Sequence, residues 1–452
     1  MSQNRGYRIL LLCGWYYPDS IGGTEAYVYQ LGKDLQALGW EVTVAAPSID
    51  EREHSYIYNG LSVYRYPLSV SPDRKEVRGS ASPKYLDIFA TWIKENKPDI
   101  AHFHSRTRGC SFYHSDVIRQ LGVPLVLTIH SADFMCVAGT ARLWGVSPCD
   151  GRIDEYRCTA CWLKNRGIPL WWLAWLLSRI PIFIASKATN MNNKLGTLLS
   201  MRKLFIERQE REKRLFESVE YIIAVSRWLY DVLKRNDIPE KKLYFCPHGL
   251  APVVAKSKPQ SCFKNPYVLR IGFIGRFNRV KGLHILVKAM KRQPLNRYIE
   301  LRIYGRAKLD EEKDYLQLIQ KLSKDDSRIK FCGELTDENR QDVFMYLDIL
   351  AVPSIWLETG PYVVLEAFSY GIPIMGSDLG GIAELITNRV NGLLVEPGNI
   401  RLWANAIGWI YRHHEAIGYW AENIPSVRSN KNVTGEMVEI YRKILDPQDN
   451  QL

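Results

Sequence analysis

The sequence predicts an α/β protein of two doubly wound parallel-sheet domains that face each other across a cleft. Three observations carry that prediction. Short apolar runs alternate with helical patterns along most of the 452 residues, as expected for strands buried on both faces by their connecting helices. Residues 251–266 (APVVAKSKPQSCFKNP) break the alternation, contain prolines, and are followed by its restart. The length suits two or three domains at roughly 150 residues each.

The elements follow in order. RILLLCG (8–14) reads as a buried strand, and TEAYVYQLGKDLQALG as a helix with Gly39 as its stop. EVTVAAP (41–47) and LSVYRYP (61–67) read as strands, 84–97 as a helix, and DIAHFHS (99–105) and PLVLTIHS (124–131) as strands. An insertion at about 134–215 interrupts this first domain (1–250) before YIIAVS (221–226) and LYFCPHG (243–249) resume it. Beyond the linker 251–266, the second domain (267–430) holds six strand candidates: VLRIGFIG, IELRIYG, IKFCGEL, ILAVPS, PIMGSD and GLLVEP. A helical tail (431–452) is expected to pack back across the linker.

Composition narrows the function. With 46% apolar and 24% charged residues the chain is a packed globular protein and not a disordered polymer. Lys and Arg total 60 against 48 Asp and Glu, a net +12 that favours an anionic partner. No Cys/His finger, RNA-recognition signature or basic zipper is present, so nucleic acid is not expected. The N-terminal run MSQNRGYRILLLCGWYYP lacks the length and cleavage site of a secretory leader, which predicts a cytoplasmic protein. Its nine cysteines then read as thiols or metal ligands rather than disulfides.

Residues 168–185 (IPLWWLAWLLSRIPIFIA) are apolar apart from Ser178 and Arg179. A spanning helix needs about 20 such residues. The three tryptophans of the first half suit a helix lying in the headgroup zone. Residues 187–214 then carry a net +5, which suits an anionic membrane surface. The alternative is a buried helical hairpin beside a solvated charged helix.

Two places in the second half carry chemistry. After IGFIG come Arg276 and Lys281, then a helix from about Leu283. A strand–loop–helix joint aims free N–H groups and the positive helix end at an anion, and two cations there suit a pyrophosphate. Further on, Glu358 precedes a Gly-Pro turn that opens a helix carrying Glu366 about two turns in. Gly380-Gly381 before Glu384 makes the string specific.

These residues resemble the retaining glycosyltransferases of family 4, which have the GT-B fold. The two glutamates separated by seven residues are similar to the family signature. So are the Gly275-Arg276…Lys281-Gly282 loop, the Gly380-Gly381…Glu384 turn, the Gly22-Gly23-Thr24 loop and His130 after PLVLTI. The resemblance covers both halves and is absent over about 140–215. It implies a nucleoside-diphosphate-sugar donor of the UDP or GDP class, with Arg276 and Lys281 on its diphosphate and Glu366 on its ribose. It assigns Glu358 and the amides of Gly360 and Val363 to the transferred sugar, the loop Gly333–Leu335 to the base, and Gly22 and Gly23 to the donor. His130 and Glu358 become the catalytic pair. The chain contains no Asp-x-Asp, and no metal is expected to be needed for catalysis, protein cations and a helix end stabilising the leaving diphosphate. Relatives often carry Glu-Gly-Phe-Gly where this chain has Glu358-Thr-Gly-Pro361, and Asn-Gly where it has His248-Gly249.

The expected acceptor is a lipid-linked saccharide or other glycan, in assembly of a surface polysaccharide or glycoconjugate, at the cytoplasmic face of a membrane. Two other classes stay open: another GT-B activity such as a sugar-nucleotide epimerase, and a non-catalytic subunit of a glycosylation complex. In the insertion, Cys158-Thr-Ala-Cys161 has the spacing of one edge of a tetrahedral zinc site, which Cys136 and Cys149 could complete. The alternatives are scattered thiols or a redox-formed bridge. His102 and His104 alternate on a strand and so share a face; they could be ligands, but packing near the cleft is the expected role. Cys13, Cys110, Cys246, Cys262 and Cys332 read as core.

Overall fold

The computed structural model describes residues 6–191, 193–251 and 267–447. The chain forms two compact units, one of Met1–His248 with Asn430–Leu452 and one of Gly249–Ser429. The expected linker lies outside the described residues except for Ala251.

The first unit holds β1 (Arg8–Leu12), β2 (Glu41–Pro47), β3 (His54–Tyr58), β4 (Leu61–Tyr66), β5 (Ile100–Phe103), β6 (Leu125–Ile129), the short β7 (Arg142–Leu143) and β8 (Ser147–Pro148), β9 (Tyr221–Ala224) and β10 (Leu243–Phe245). Eight of these form one sheet in the order β10-β9-β6-β5-β1-β2-β4-β3. All its pairs are parallel except β3–β4. The central strands are runs such as Ile9–Leu12 and Leu125–Ile129 with no exposed face. The helix Gly23–Ala37 buries Tyr27, Val28, Leu31 and Leu35, an apolar stripe at helical spacing. Strand β3 escaped the sequence reading. Its residues are largely exposed, so it lacks the apolar run that marks the others, although Asn59-Gly60, both at positive φ, is a two-residue hairpin signal.

Between β6 and β9 the described residues include four α-helices: Glu155–Asn165, Trp171–Leu177, Ile182–Ala188 and Lys194–Ser218. The buried-hairpin alternative for 168–185 fails here. Trp171, Trp172, Trp175, Leu176 and Phe183 are all exposed, Trp171 by 63% and Phe183 by 67%. No described helix is long and apolar enough to cross a membrane. The basic stretch is not wholly solvated either. Arg202 pairs with Glu155, Arg208 with Glu212, and Arg211 bonds to the Arg78 carbonyl.

The second unit holds β11 (Leu269–Ile274), β12 (Ile299–Tyr304), β13 (Ile329–Phe331), β14 (Ile349–Val352), β15 (Ile374–Ser377) and β16 (Gly392–Val395). The order is β13-β12-β11-β14-β15-β16, and every pair is parallel. The chain winds outward from β11 in one direction and then, from β14, in the other. That reversal leaves a crevice at the carboxyl ends of β11 and β14, where ligands bind in such sheets.

The tail helix Asn430–Leu445 packs on the first unit. Its Tyr441 hydroxyl is fully buried and hydrogen-bonds His102 Nδ1 at 2.6 Å, while Thr128 Oγ1 holds His102 Nε2 at 2.7 Å. Tyr441→Phe leaves one buried imidazole nitrogen without its partner. It is expected to cost about 1–2 kcal/mol and to lower the thermal midpoint by a few degrees in a calorimetric scan; an unchanged midpoint would contradict this anchoring.

Candidate functional site

The reversal in the second unit brings two loops together. The loop after β11 carries Arg276 and Lys281, and the loop after β14 carries Ser354, Glu358 and Gly360. Lys281 Nζ lies 2.6 Å from Glu358 Oε1, and the Ser354 hydroxyl donates to the same oxygen at 2.8 Å. Ser354 and Glu358 are buried. Burial pushes the Glu358 carboxyl up, but the adjacent Lys281 ammonium and the hydrogen bonds outweigh it and hold the group below the usual carboxylate range. Arg276 is exposed at the start of the same loop.

Two close approaches fix this geometry. Gly282 has φ +72°, and a Cβ there would lie 1.8 Å from the Pro353 carbonyl oxygen, so only glycine lets the loop after β11 lie against the strand end of β14. Gly381 donates its N–H to the Glu358 carbonyl at 2.7 Å, and a Cβ would meet the Thr359 and Glu358 carbonyls at 2.8 and 2.9 Å. The Gly380-Gly381 pair thus seats the helix Gly380–Leu385 on the Glu358 loop.

Pro361 caps the helix Tyr362–Ser369, so Glu366 lies just over one turn in, not two. Its carboxylate bonds Arg340 on the neighbouring helix Arg340–Tyr346. Burial raises Glu366 above the usual range, and the Arg340 guanidinium offsets only part of that. Val363 is half-buried on the same first turn as the Gly360-Pro361 entry. Gly333 is exposed with φ +82° and open space around it, its carbonyl accepting from the Gly305 N–H at 2.7 Å; Leu335 is half-buried nearby in sequence. Sequence reasoning missed Ser354 and Arg340. The first could have been found from its place after ILAVP at a strand end; the second sits in no motif.

In the first unit, Gly22 is the N-cap of the helix that follows β1, and Gly23 is its first residue. A Cβ at Gly22 would meet the Glu25 carboxylate at 2.7 Å. His130 follows β6 and is half-buried within an aromatic group. Its Nε2 lies 3.2 Å from His104 Nδ1, it stacks on His248 at 5.4 Å between ring centroids, and the Tyr27 ring meets its edge at 4.8 Å. Burial, then His248 and His104, push its pKa well below the usual histidine value, so the ring is neutral at pH 7. His102 and His104 share a face as expected, with ring centroids 4.0 Å apart. Tyr27 gave no signal in the sequence, and His248 stood out there only as a departure from Asn-Gly, with nothing to place it beside His130.

Cys136, Cys149, Cys158 and Cys161 line one small cavity of about 30 Å³. Backbone N–H groups of Gly151, Asp154 and Trp144 donate to the sulfurs of Cys149, Cys158 and Cys161 at 3.4, 3.4 and 3.2 Å. Burial pushes the Cys158 thiol up to about 11 and raises Cys149 and Cys161. All four are free thiols, and among the described residues no group of three or more His, Cys, Asp or Glu is set to hold a metal ion. Cys13, Cys110 and Cys246 are core; Cys332 is half-exposed, a correction, and Cys262 lies outside the described residues.

Comparison with known proteins places this geometry. Residues 21–189 match the family model Glycosyltransferase Family 4, and residues 257–426 match Glycosyl transferases group 1. An uncharacterised glycosyltransferase of Methanocaldococcus jannaschii is 23% identical over 95% of this chain and 96% of its own. The D-inositol 3-phosphate glycosyltransferase of Corynebacterium urealyticum is 28% identical over 38% of this chain, and the match spans only 43% of that relative's length. The amylovoran biosynthesis glycosyltransferase AmsK of Erwinia amylovora is 26% identical over 46% of this chain and 52% of its own. Among solved structures, sucrose-phosphate synthase from Thermosynechococcus elongatus superposes with a TM-score of 0.68 at 20% identity, covering 98% and 100% of the two chains. Anabaena HepE in complex with UDP and glucose does so at 0.64 and 15%, covering 96% and 99%. Two Rossmann-like parallel-sheet units of this kind define the GT-B fold. Both halves match glycosyltransferase models, and the chain belongs to glycosyltransferase family 4.

The Lys281–Glu358 pair makes stability depend on pH. Glu358 titrates below its ordinary value in the folded chain, so its contribution is fully present above the ordinary range and is lost as pH falls through the depressed value. Glu358→Gln is expected to be less stable than the parent by about 3 kcal/mol at pH 7, with the gap narrowing below about pH 4.5. Denaturant titrations across that range check it; a gap that stays constant would contradict it.

Proposed function

We propose that the protein is a retaining glycosyltransferase that moves a sugar from a nucleoside diphosphate to a lipid-linked saccharide in polysaccharide or glycoconjugate assembly. The observation that carries the donor half is the Lys281–Glu358 pair at the winding reversal of the second sheet. Lys281 and Arg276 supply cations for a diphosphate beside the N–H groups of a strand–loop–helix joint. Glu366 accepts the ribose hydroxyls, releasing Arg340. Glu358, with the amides of Gly360 and Val363, holds the transferred sugar, and the base lies along Gly333–Leu335. His130 is assigned to the reaction from the first unit, with Gly22 and Gly23 as further donor contacts. The leaving phosphate deprotonates the acceptor on the face it departs from, which retains the anomeric configuration without a catalytic metal.

HepE, solved with UDP and with UDP-glucose, supports a uridine donor among the UDP and GDP classes, and the name of AmsK supports polysaccharide biosynthesis. The exposed tryptophans of the insertion support a lipid-linked acceptor and a peripheral position on the cytoplasmic face of a membrane. In the insertion, four cysteines around one cavity, three of whose sulfurs accept backbone N–H bonds, support a structural zinc held by Cys136, Cys149, Cys158 and Cys161. Metal binding would draw the sulfurs together and displace their protons.

A thermal-shift panel of UDP, GDP and ADP tests the donor reading. One nucleotide is expected to stabilise the protein. Arg276→Ala should weaken its binding about tenfold while sparing the nucleoside, a loss of one diphosphate contact. Glu366→Ala should weaken diphosphate and nucleoside alike. No shift with any nucleotide in folded protein would overturn the reading. Elemental analysis tests the zinc: about one zinc per chain is expected, lost in Cys158→Ser together with thermal stability. Parent protein purified without chelator and free of zinc would refute it.

A further inference from the structure

The first unit contains a second, larger cavity that the donor chemistry does not use. It measures about 1000 Å³, at the upper end of small-molecule sites. Its wall is assembled from parts far apart in sequence: the helix Arg74–Val77, the loop after β5, the first turn of Phe112–Gln120, the end of Glu155–Asn165, and the long helix Lys194–Ser218. The loop after β5 leaves the carboxyl end of the strand next to β1, where this sheet reverses its own winding.

The wall is strongly cationic. Arg74, Arg78, Arg106, Arg108, Arg208 and Arg211 line it, joined by Arg166 and Lys194, against two carboxylates, Glu76 and Glu212. Both acids are already engaged. Glu76 holds Arg108 at 2.7 Å, and Glu212 holds Arg208 at 2.8 Å and Arg106 at 3.4 Å. Arg74 donates to the Met191 carbonyl at 2.7 Å, Arg78 to the Thr189 carbonyl at 3.3 Å, and Arg211 to the Arg78 carbonyl at 3.1 Å. Loss of water lowers the basicity of Arg78 and Arg211, and Arg74 adds to it at Arg78. The cations of the wall outnumber its acids, so an anion that enters is stabilised there.

Much of the rest of the wall is apolar, including Phe112, Leu163, Ile168, Leu198, Met201 and Leu204. Ile168 and Lys194 flank, in sequence, the two short helices that display Trp171, Trp172, Trp175 and Phe183 to solvent. A phosphate alone would use the arginines and leave the apolar wall wet. A hydrocarbon alone would bury the arginines without counter-charge. The ligand that satisfies both is an amphiphile with a phosphate-ester head joined directly to an apolar chain.

We propose that this cavity binds the phosphate-ester head and first chain carbons of a lipid-linked acceptor. The arginines grip the head, and the exposed tryptophan helices take the chain onward. The inference rests on the acceptor reading given under Proposed function, and it assigns that acceptor's anchor to residues outside the family motifs.

The test uses full-length protein and farnesyl diphosphate, a soluble prenyl diphosphate, in calorimetric titrations, with inorganic pyrophosphate, farnesol and phosphatidylglycerol vesicles as separate arms. Farnesyl diphosphate is expected to bind at least tenfold more tightly than pyrophosphate or farnesol. Arg78→Ala with Arg211→Ala should weaken it at least tenfold and leave the nucleotide thermal shift intact. Leu198→Trp, which fills the apolar end without touching a cation, should weaken farnesyl diphosphate but not pyrophosphate, and it decides the matter if the double variant does not fold. Three results would overturn the proposal: pyrophosphate binding as tightly as farnesyl diphosphate, farnesyl diphosphate binding that ignores the variants, or binding to anionic vesicles alone. Farnesyl diphosphate binding in a protein that no nucleotide stabilises would instead sink the donor reading and leave the cavity assignment standing.

Discussion

Lys281 and Glu358 meet because the second sheet reverses its winding between β11 and β14. In a sheet that winds one way only, helices would cover each strand end in turn. Here the loops after β11 and β14 depart to opposite sides and leave an open crevice between them. The buried carboxylate of Glu358 is tolerated only because a lysine and a serine hydroxyl face it. Lys281 in turn is aimed by Gly282, whose missing Cβ lets the two loops touch. Remove either constraint and the cation, the acid and the free N–H groups of the loop no longer converge.

The first unit applies the same logic with different residues. Its sheet reverses between β1 and β5. The loop after β1 brings Gly22 and Gly23 to a helix start, and the loop after β5 brings Arg106 and Arg108 to the wall of the large cavity. The insertion completes that wall by turning the inner face of a long helix toward it. One face of the insertion therefore serves the interior, while its two short helices leave large apolar side chains in water. Exposed patches of that kind mark a surface that expects a partner.

Most of the fold was legible in the sequence because parallel strands are buried on both faces and appear as unbroken apolar runs. RILLL, LVLTI and LRIGFI could be little else. Strand β3 was not legible that way, since an exposed edge strand needs no apolar run. In the candidate site, the loop cations and the two glutamates were readable because spacing and local turns place them. Arg340, Tyr27 and His248 were not, because only tertiary packing brings them to Glu366 and His130. The arginine cavity was the least legible feature: its cations lie between residues 74 and 211, and no local pattern links them. Composition marked residues 168–185 as apolar and 187–214 as basic but not which helix faces turn inward, so the engagement of Arg202, Arg208 and Arg211 was not legible.

The central claim is that the winding reversal of the second sheet holds the nucleotide. A crystal structure of the protein soaked with UDP addresses it most directly. The account predicts diphosphate oxygens within hydrogen-bond distance of Lys281 Nζ and of the loop after β11, with the Glu366 carboxylate on the ribose and no longer on Arg340. A nucleotide bound elsewhere, with the Lys281–Glu358 and Arg340–Glu366 pairs undisturbed, would contradict it.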